Sequence, residues 1–289
     1  MPAVWDPSFR QRFYMRWGRE SAVVCARTRR VEYPEYRQLL SIKAATGGTE
    51  HYFIDGRHVA VDDDTFLILN AGRRYASRID ELNPVHTFSI FFEPRLAEEV
   101  LHSLETPAQA LLDNAPDEVS SSVEFDERLR EHDALVSPAL ASMRQSLDAG
   151  AGDDLWLEEQ LCLLLGRMLC SEQAHRKSVE LIPSARPATR RELQRRLGLA
   201  RTYIHTFFRE PIGLKDMACA AHLSPFHFLR LFKAVYGITP SAFLSRKRTL
   251  AAQRLIGQPE WTMVEIAEHV GFGSRTSLFR HLKRKKCNT

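Results

Sequence analysis

The sequence predicts an α+β protein, with an N-terminal β-barrel, following helices, and then an all-α domain of two helix-turn-helix units joined by a connecting helix. Two observations lead to this prediction. Short apolar or alternating runs, separated by turn signals, fill residues 36–92. In the C-terminal third a weak internal repeat returns at an offset of 49 residues, and each copy has the pattern of two short helices around a tight turn.

The N-terminal region has the spacing of a small antiparallel barrel or sandwich. Asp55-Gly56 is a strong two-residue hairpin signal, because both positions of such a turn need a left-handed backbone that aspartate and glycine adopt readily. Gly and Pro residues mark the other turns. The strands are predicted over residues 37–42, 51–54, 65–69 and 87–92.

Helical patterns follow the strands. Residues 95–104, 125–147 and 154–175 have helical periodicity, and the last of these has one wide apolar face. That face packs either on the barrel or against a second copy of the chain, which makes a homodimer one of the expected assemblies. We therefore predict an effector or oligomerisation domain over residues 1–178, a proline-containing linker over 179–188, and a second domain over 189–289.

Charge divides the chain in the same place. Residues 190–289 contain 19 Lys and Arg against 6 Asp and Glu, whereas the remainder contains 21 against 30. A basic segment beside an acidic one is typical of a DNA-binding domain joined to another function, so double-stranded DNA is the expected partner. No apolar run reaches the ~18 residues that span a bilayer, and no secretion signal is evident, so we expect a cytoplasmic protein without a membrane partner.

The repeat aligns two helix pairs. Met217 with Ala221 in the first copy, and Ile266 with Val270 in the second, supply an apolar surface on the shorter helix. The longer helix begins after a serine, Ser224 or Ser274, which can cap the free N–H groups. Phe228 and Phe232, like Leu278 and Leu282, are four residues apart and face that surface. A third helix from Thr239-Pro240 to about Ile256 would connect the units rigidly, so that both longer helices enter successive major grooves.

These residues resemble the AraC/XylS-type DNA-binding domain, and the N-terminal strands resemble, more loosely, its cupin-like sensor domain. The resemblance implies a transcription regulator, more often an activator that works with RNA polymerase, which responds to a small-molecule effector and is not an enzyme. The family normally continues with one more helix, whereas here Cys287 stands where Gly237 does. We therefore expect a less stable second unit that partly exposes Leu282. The matching stretches are residues 197–204 (LGLARTYI), 223–233 (LSPFHFLRLFK), 237–243 (GITPSAF) and 266–274 (IAEHVGFGS).

With the anchors facing inward, the opposite face of each longer helix is predicted to contact DNA. Arginine can bond guanine bidentately, threonine can reach base edges, and phenylalanine can touch the thymine methyl. For Arg230 and Arg280 the alternative is a salt bridge to a neighbouring helix. The predicted base contacts, to which the resemblance also points, are Phe226, Leu229, Arg230, Arg275, Thr276 and Arg280. The predicted phosphate contacts are Lys233, Arg246, Arg248, Lys283 and Lys285.

Other chemistry has weaker support. Glu50, His51, Arg73 and Arg74 are candidate contacts for a polar effector inside or at the mouth of the barrel, although surface positions explain them equally well. His51, His58 and His86 lack the His-x-His spacing of enzymatic cupins, so neither a metal nor another cofactor is expected. Two alternatives stay open: a cupin-type metal enzyme with a DNA-binding appendage, and a DNA-binding protein whose N-terminal domain only oligomerises.

Overall fold

The computed structural model describes residues 19–107, 109, 122–179 and 187–286. The chain divides into two compact units, Met1–Ser178 and Val179–Thr289. Of the predicted linker 179–188, Val179 ends one helix and residues 187–188 begin the next, while 180–186 lie outside the described residues.

The first unit is built on a nearly closed antiparallel sheet, followed by helices, which confirms the predicted fold class. The long sixth strand pairs with the third through its first half and with the second through its second half, while the first strand runs along both halves. The strand order is β4-β3-β6-β2-β5-β7, with β1 on β6. The strands are β1 Ala22–Arg37, β2 Ser41–Thr46, β3 Glu50–Ile54, β4 Arg57–Val61, β5 Thr65–Leu69, β6 Arg74–Phe91 and β7 Leu129–Glu131.

The strands β2 and β5 are buried on both faces, which explains their near-continuous apolar runs. In β5 every residue is buried: Phe66 and Ile68 join the core shared with the helices, whereas Leu67 and Leu69 join the core within the curve of the sheet. The continuous run of apolar residues in β5 is therefore the consequence of two separate cores meeting at one strand.

Some strand predictions are confirmed and others are wrong. The Asp55-Gly56 turn joins β3 to β4 with φ values of 48° and 75° at these two residues, as the hairpin signal predicted. The predicted strand over residues 37–42 is instead the junction where β1 ends and β2 begins. The sheet also starts at Ala22, because the charged stretch of β1 is held by pairing with β6 rather than by its own pattern.

Three helices follow in the described part of the first unit: α1 Leu96–Glu105, α2 Val136–Asp148 and α3 Asp154–Val179. The predicted helix over 125–147 is wrong in its first half, where the short strand β7 pairs with β5. The apolar face of α3, including Leu164 and Met168, lies in the same core as the sheet, so it packs within its own unit. No helix in the described part of the chain is long and apolar enough to cross a membrane.

The described residues of the second unit form six helices around one apolar core. The connecting helix begins and ends within one residue of the prediction, and the Thr239 hydroxyl caps it by accepting from the Ala242 N–H at 3.2 Å. The helices are α4 Pro187–Phe207, α5 Leu214–Ala220, α6 Pro225–Tyr236, α7 Pro240–Leu255, α8 Met263–His269 and α9 Arg275–Lys286.

Candidate nucleic-acid interface

In the first helix-turn-helix unit, α5 and α6 bury the surfaces that the repeat predicted. Met217 and Ala221 on the α5 side, and Phe228 and Phe232 on α6, are at most 2% exposed. The two phenylalanine rings meet edge to face with centroids 5.3 Å apart, an arrangement that aromatic pairs favour. The orientation of α6 is therefore fixed by its own apolar side.

The turn between α5 and α6 differs from the prediction in one detail. The Leu223 N–H donates to the Ala218 carbonyl at 3.0 Å, and His222 adopts a left-handed φ of 51°. Ser224 has the extended backbone of a cap residue, but its side chain makes no capping hydrogen bond, so the predicted role of its hydroxyl is wrong. Pro225 occupies the first helical position, where a backbone N–H would have no partner within the helix and proline has none to satisfy.

The outward face of α6 carries the predicted first set of contact residues. Phe226 is 76% exposed, and Arg230 and Lys233 are also exposed, whereas Leu229 is half-buried. Among the described residues Arg230 has no hydrogen-bond or ion-pair partner, so the alternative of a salt bridge to a neighbouring helix is not realised. The exposed surface of α6 thus presents an aromatic ring and a guanidinium group side by side.

The second unit repeats this arrangement with α8 and α9. Ile266, Val270 and Leu278 are at most 1% exposed, while Leu282 is half-buried, in line with its expected partial exposure. Thr262 and Glu265 form a capping box at the start of α8. Ser274 caps α9, because its hydroxyl accepts from the Ser277 N–H at 3.2 Å, as predicted.

The outward face of α9 presents the second set. Arg275, Thr276, Arg280 and Lys283 are exposed. The Arg275 guanidinium lies 5.2 Å from the centroid of the Phe279 ring, which orients it along the helix, and Arg280 has no ion-pair partner in the described part of the chain. The side chain of Lys285 lies outside the described residues.

Arg248 on the connecting helix is placed differently from the prediction. Its guanidinium donates to the carbonyl oxygens of Phe208 and Glu210, at 2.6 Å each, and burial lowers its pKa. These bonds satisfy the end of α4, so Arg248 stabilises the fold and does not extend toward a phosphate. Arg246 is exposed as expected. Sequence reasoning could not separate the two, because the carbonyl acceptors lie about forty residues away.

The four candidate effector residues do not converge. Glu50 is buried within the curve of the sheet, where desolvation raises its pKa. His51 lies on the opposite side of β3, with its Nδ1 2.9 Å from Nε2 of His58. Arg73 pairs with Glu127 at 2.8 Å, and Arg74 lies 3.9 Å from Glu35 at an exposed position. A single site built from all four is therefore wrong.

A buried lysine within the sheet was missed by sequence reasoning. Lys43 is 2% exposed, and its Nζ lies 3.5 Å from the centroid of the Phe91 ring. Burial lowers the pKa of Lys43 well below its usual value, and the nearby Glu50 opposes that shift. The alternation of side chains along β2 could have indicated it. Ile42 and Ala44 face the helices, so Lys43 between them faces the other core. The described residues contain no group of three His, Cys, Asp or Glu side chains arranged to hold a metal ion.

Comparison with known proteins finds relatives of the second unit. Residues 217–289 match the family model described as a helix-turn-helix domain. The regulatory protein PocR of Salmonella typhimurium is 36% identical over 77 residues, which are 27% of this chain and 25% of PocR. The bifunctional transcriptional activator/DNA repair enzyme AdaA of Bacillus subtilis is 31% identical over 87 residues, 30% of this chain and 41% of AdaA.

The chain thus spans between a quarter and about two fifths of the length of these curated relatives. Among solved structures, wild-type ToxT from Vibrio cholerae with a bound unsaturated fatty acid aligns with 91% of this chain and 91% of its own, at a TM-score of 0.37 and 9% identity, which is a distant likeness. The residues that match the family model begin within α5 and include α6, α7, α8 and α9. The C-terminal part of this chain is therefore similar to helix-turn-helix domains of regulators, in agreement with its resemblance to the AraC/XylS type.

Proposed function

We propose that this chain is a sequence-specific DNA-binding transcription regulator. One observation carries the proposal: in both units the longer helix packs inward around a fully buried apolar anchor and leaves an exposed arginine, Arg230 or Arg280, on its other face. A helix held in this way can enter a major groove without losing its own packing. Arg230 and Arg280 have no hydrogen-bond or ion-pair partner among the described residues. They can therefore bind DNA without first breaking an interaction within the protein.

Base recognition is assigned to the outward positions of each longer helix. Arg230 and Arg280 supply bidentate donors for guanine, each worth about 1–3 kcal/mol of discrimination. Phe226 supplies apolar contact with a thymine methyl, and the half-buried Leu229 contributes apolar contact at most. Arg275 and Thr276 complete the set in the second unit.

Phosphate contacts are assigned to Lys233, Arg246 and Lys283, all exposed and basic. Lys285 belongs to the same set from its sequence position. Contacts of this kind hold a protein in register without reading sequence. They also make DNA affinity fall as the salt concentration rises. Each phosphate contact adds about one unit to the slope of the logarithm of the binding constant against the logarithm of the salt concentration.

For the N-terminal unit we propose a regulatory role: binding of a small-molecule effector, with a homodimer as its assembly. Activation through RNA polymerase follows the resemblance, and AdaA is named as a transcriptional activator. The repair activity in that name is said of AdaA, of which this chain covers 41%, and is not part of this proposal. We therefore propose a regulator that is not an enzyme.

The decisive experiment is selection of bound DNA from a random pool by the full chain. Wild-type protein is expected to enrich one sequence with two contacted half-sites about one helical turn apart. Arg230→Ala should broaden the preference within the first half-site only. Its matched control on the same helix is Lys233→Ala, which should weaken all sequences alike. Failure to enrich any sequence, or an unchanged preference in Arg230→Ala, would overturn the proposal.

A further inference from the structure

A groove of 430 Å³ opens on the outer side of the N-terminal sheet and is lined in part by Glu35, Arg37, Phe53, Asp55, Arg73 and Arg74. Its floor is formed by three adjacent strands, because Phe53 of β3 is the register partner of Ala76 of β6, and Arg74 of β6 is the partner of Arg37 of β1. Residues 74 and 76 share one face of β6, so all four side chains are on the same side of the sheet.

The arginine pair is the unusual feature of this groove. Directly opposed residues in an antiparallel sheet bring their Cβ atoms to about 5 Å, and like charges placed there repel each other. Arg37 has no hydrogen-bond or ion-pair partner among the residues that the structure describes. Within the described ranges, the one ion-pair partner of Arg74 is Glu35 at 3.9 Å, with both side chains at least 60% exposed, which is a weak interaction. An anion placed between the two guanidinium groups would relieve the repulsion.

Arg73 has a different role, since its charge is already compensated. Its guanidinium bonds Glu127 at 2.8 Å and Asp55 at 3.3 Å. It thereby ties the β3–β4 turn to the loop that precedes β6. The rim of the groove is thus held in place. The positive charge of Arg37 is left without a partner among the described residues, and that of Arg74 is compensated only weakly by Glu35.

The apolar part of the groove lies beside the arginine pair. Phe53 is 39% exposed, and the His58 ring stacks on it with centroids 4.9 Å apart and planes at 15°. Its cross-strand partner Ala76 is small, which leaves the phenylalanine accessible. Residues 74 and 76 are about 6.6 Å apart along the strand, so one or two fused rings can rest on Phe53 while an attached anion reaches the arginines.

We propose that this groove binds a small molecule in which a carboxylate or phosphate is attached to a flat apolar body. The oxyanion lies between Arg37 and Arg74, and the apolar body packs on Phe53 and Ala76. A volume of 430 Å³ is within the range of small-molecule sites. Ligand binding in this groove does not depend on the proposed function in DNA binding. Only an effect of the ligand on DNA affinity would depend on that function.

The test is calorimetric titration of the full chain with 2-naphthoate, 2-naphthyl phosphate and the neutral 2-naphthalenemethanol. At least one acid should bind saturably and about tenfold or more tightly than the alcohol, because charge-assisted hydrogen bonds to arginine are lost in the alcohol. The stronger of the two acids identifies the oxyanion. Equal binding of acids and alcohol, or no saturable binding of either acid at millimolar concentration, would overturn the proposal.

Variants locate the site. Arg74→Gln and Arg37→Gln should each weaken the bound acid by about tenfold. Arg78→Gln is the matched control, since Arg78 is exposed on the same face of β6 but outside the groove, and it should leave binding unchanged. Both groove variants should keep or slightly raise the melting temperature, because cross-strand repulsion is removed. A loss in Arg78→Gln equal to that in Arg74→Gln would contradict the site, whatever the DNA selection shows.

Discussion

His222 ends the first turn with a left-handed φ of 51°, and Gly271 occupies the equivalent place in the second unit with φ 83°. A residue with a Cβ pays a conformational penalty there that glycine avoids. In the first unit the His222 carbonyl accepts a hydrogen bond from Arg196 at 3.1 Å, and Glu192 in turn holds Arg196 at 2.7 Å. The first turn is therefore fixed by side chains that reach it from α4.

The second turn is fixed by close approach of the backbone. A Cβ added to Gly271 would lie 2.6 Å from the Arg209 carbonyl oxygen and 3.0 Å from that of Phe208. Only a residue without a side chain lets the turn rest against the end of α4 in this way. The comparison teaches that one supersecondary structure can be positioned either by a network of charges or by the absence of a side chain.

The longer helices also differ in how they are anchored. On α6 the Phe232 ring contacts those of Phe228, Tyr236 and Phe243, with centroids 4.6 to 5.7 Å apart. On α9 the fully buried anchor is the smaller Leu278. More apolar surface is therefore buried around the first longer helix, and we expect it to be the more stable of the two.

The largest effect expected is for Phe232→Ala, at about 4 kcal/mol of unfolding free energy, because it empties the centre of the aromatic cluster. Leu278→Ala in the second unit should cost about 3 kcal/mol. Phe226→Ala is the control, since it removes an exposed phenylalanine from the same helix and should change stability by less than about 0.5 kcal/mol. Urea denaturation measures all three. A larger loss for Leu278→Ala would reverse the comparison of anchors.

Gly271→Ala is expected to cost about 3 kcal/mol, which combines left-handed strain with the clash against the Arg209 carbonyl. Gly273→Ala is the matched control two residues away: its φ of 66° is also left-handed, but nothing lies within 4 Å of the added Cβ. Strain alone should cost about 1 kcal/mol there. Thermal unfolding should therefore separate the two variants clearly. Equal losses would mean that the close approach to α4 contributes nothing.

A smaller effect separates the two serines that precede the longer helices. Ser274→Ala should cost about 1 kcal/mol, because it removes the hydroxyl that accepts from the Ser277 N–H. Ser224→Ala should cost only a few tenths of that amount, since its side chain makes no capping bond. Hydrogen exchange of the first-turn amides in α6 and α9 measures both. A loss in Ser224→Ala as large as in Ser274→Ala would show that both hydroxyls cap in solution.

Sequence reasoning predicted these helix pairs because each depends on contacts between residues close in the chain. The inward positions of Phe228 and Leu278 follow from helical spacing alone. The cap at Ser224 was predicted wrongly, because sequence gives the residue type but not the rotamer of its hydroxyl. The same limit applies to Arg248, whose length and charge suit a phosphate and a carbonyl equally.

The N-terminal sheet was predicted less completely, since strand pairing joins residues far apart in the chain. Nothing local in the arginine-rich stretch of β1 indicates a strand, and only its register with β6 makes it one. The groove beside Phe53 was likewise out of reach, because it depends on which residue of β1 lies opposite Arg74. Of the four candidate effector residues only Arg73 and Arg74 line this groove.

The smallest effect concerns the charge network behind the first turn. Hydrogen bonds from Arg195 and Arg196 lower the pKa of Glu192 to about 2. A lowered pKa means that the network stabilises the fold fully above the ordinary glutamate value near 4.5 and loses this contribution as pH falls toward 2. Because Glu192 is 41% exposed, its contribution should be only a few tenths of a kcal/mol.

Exchange of the amides around His222 should therefore accelerate between pH 4.5 and 2 relative to those around Gly271, after correction for the intrinsic pH dependence of exchange. Glu192→Gln should abolish this difference in pH response, because glutamine stays uncharged throughout the range. Protection around Gly271 should be the same in wild type and variant, since this turn rests against the backbone of Phe208 and Arg209, just after α4, and does not depend on the Glu192 carboxylate. If both turns lost protection together on acidification, the charge network would not be specific to the first turn, and the distinction between the two modes of positioning would fail.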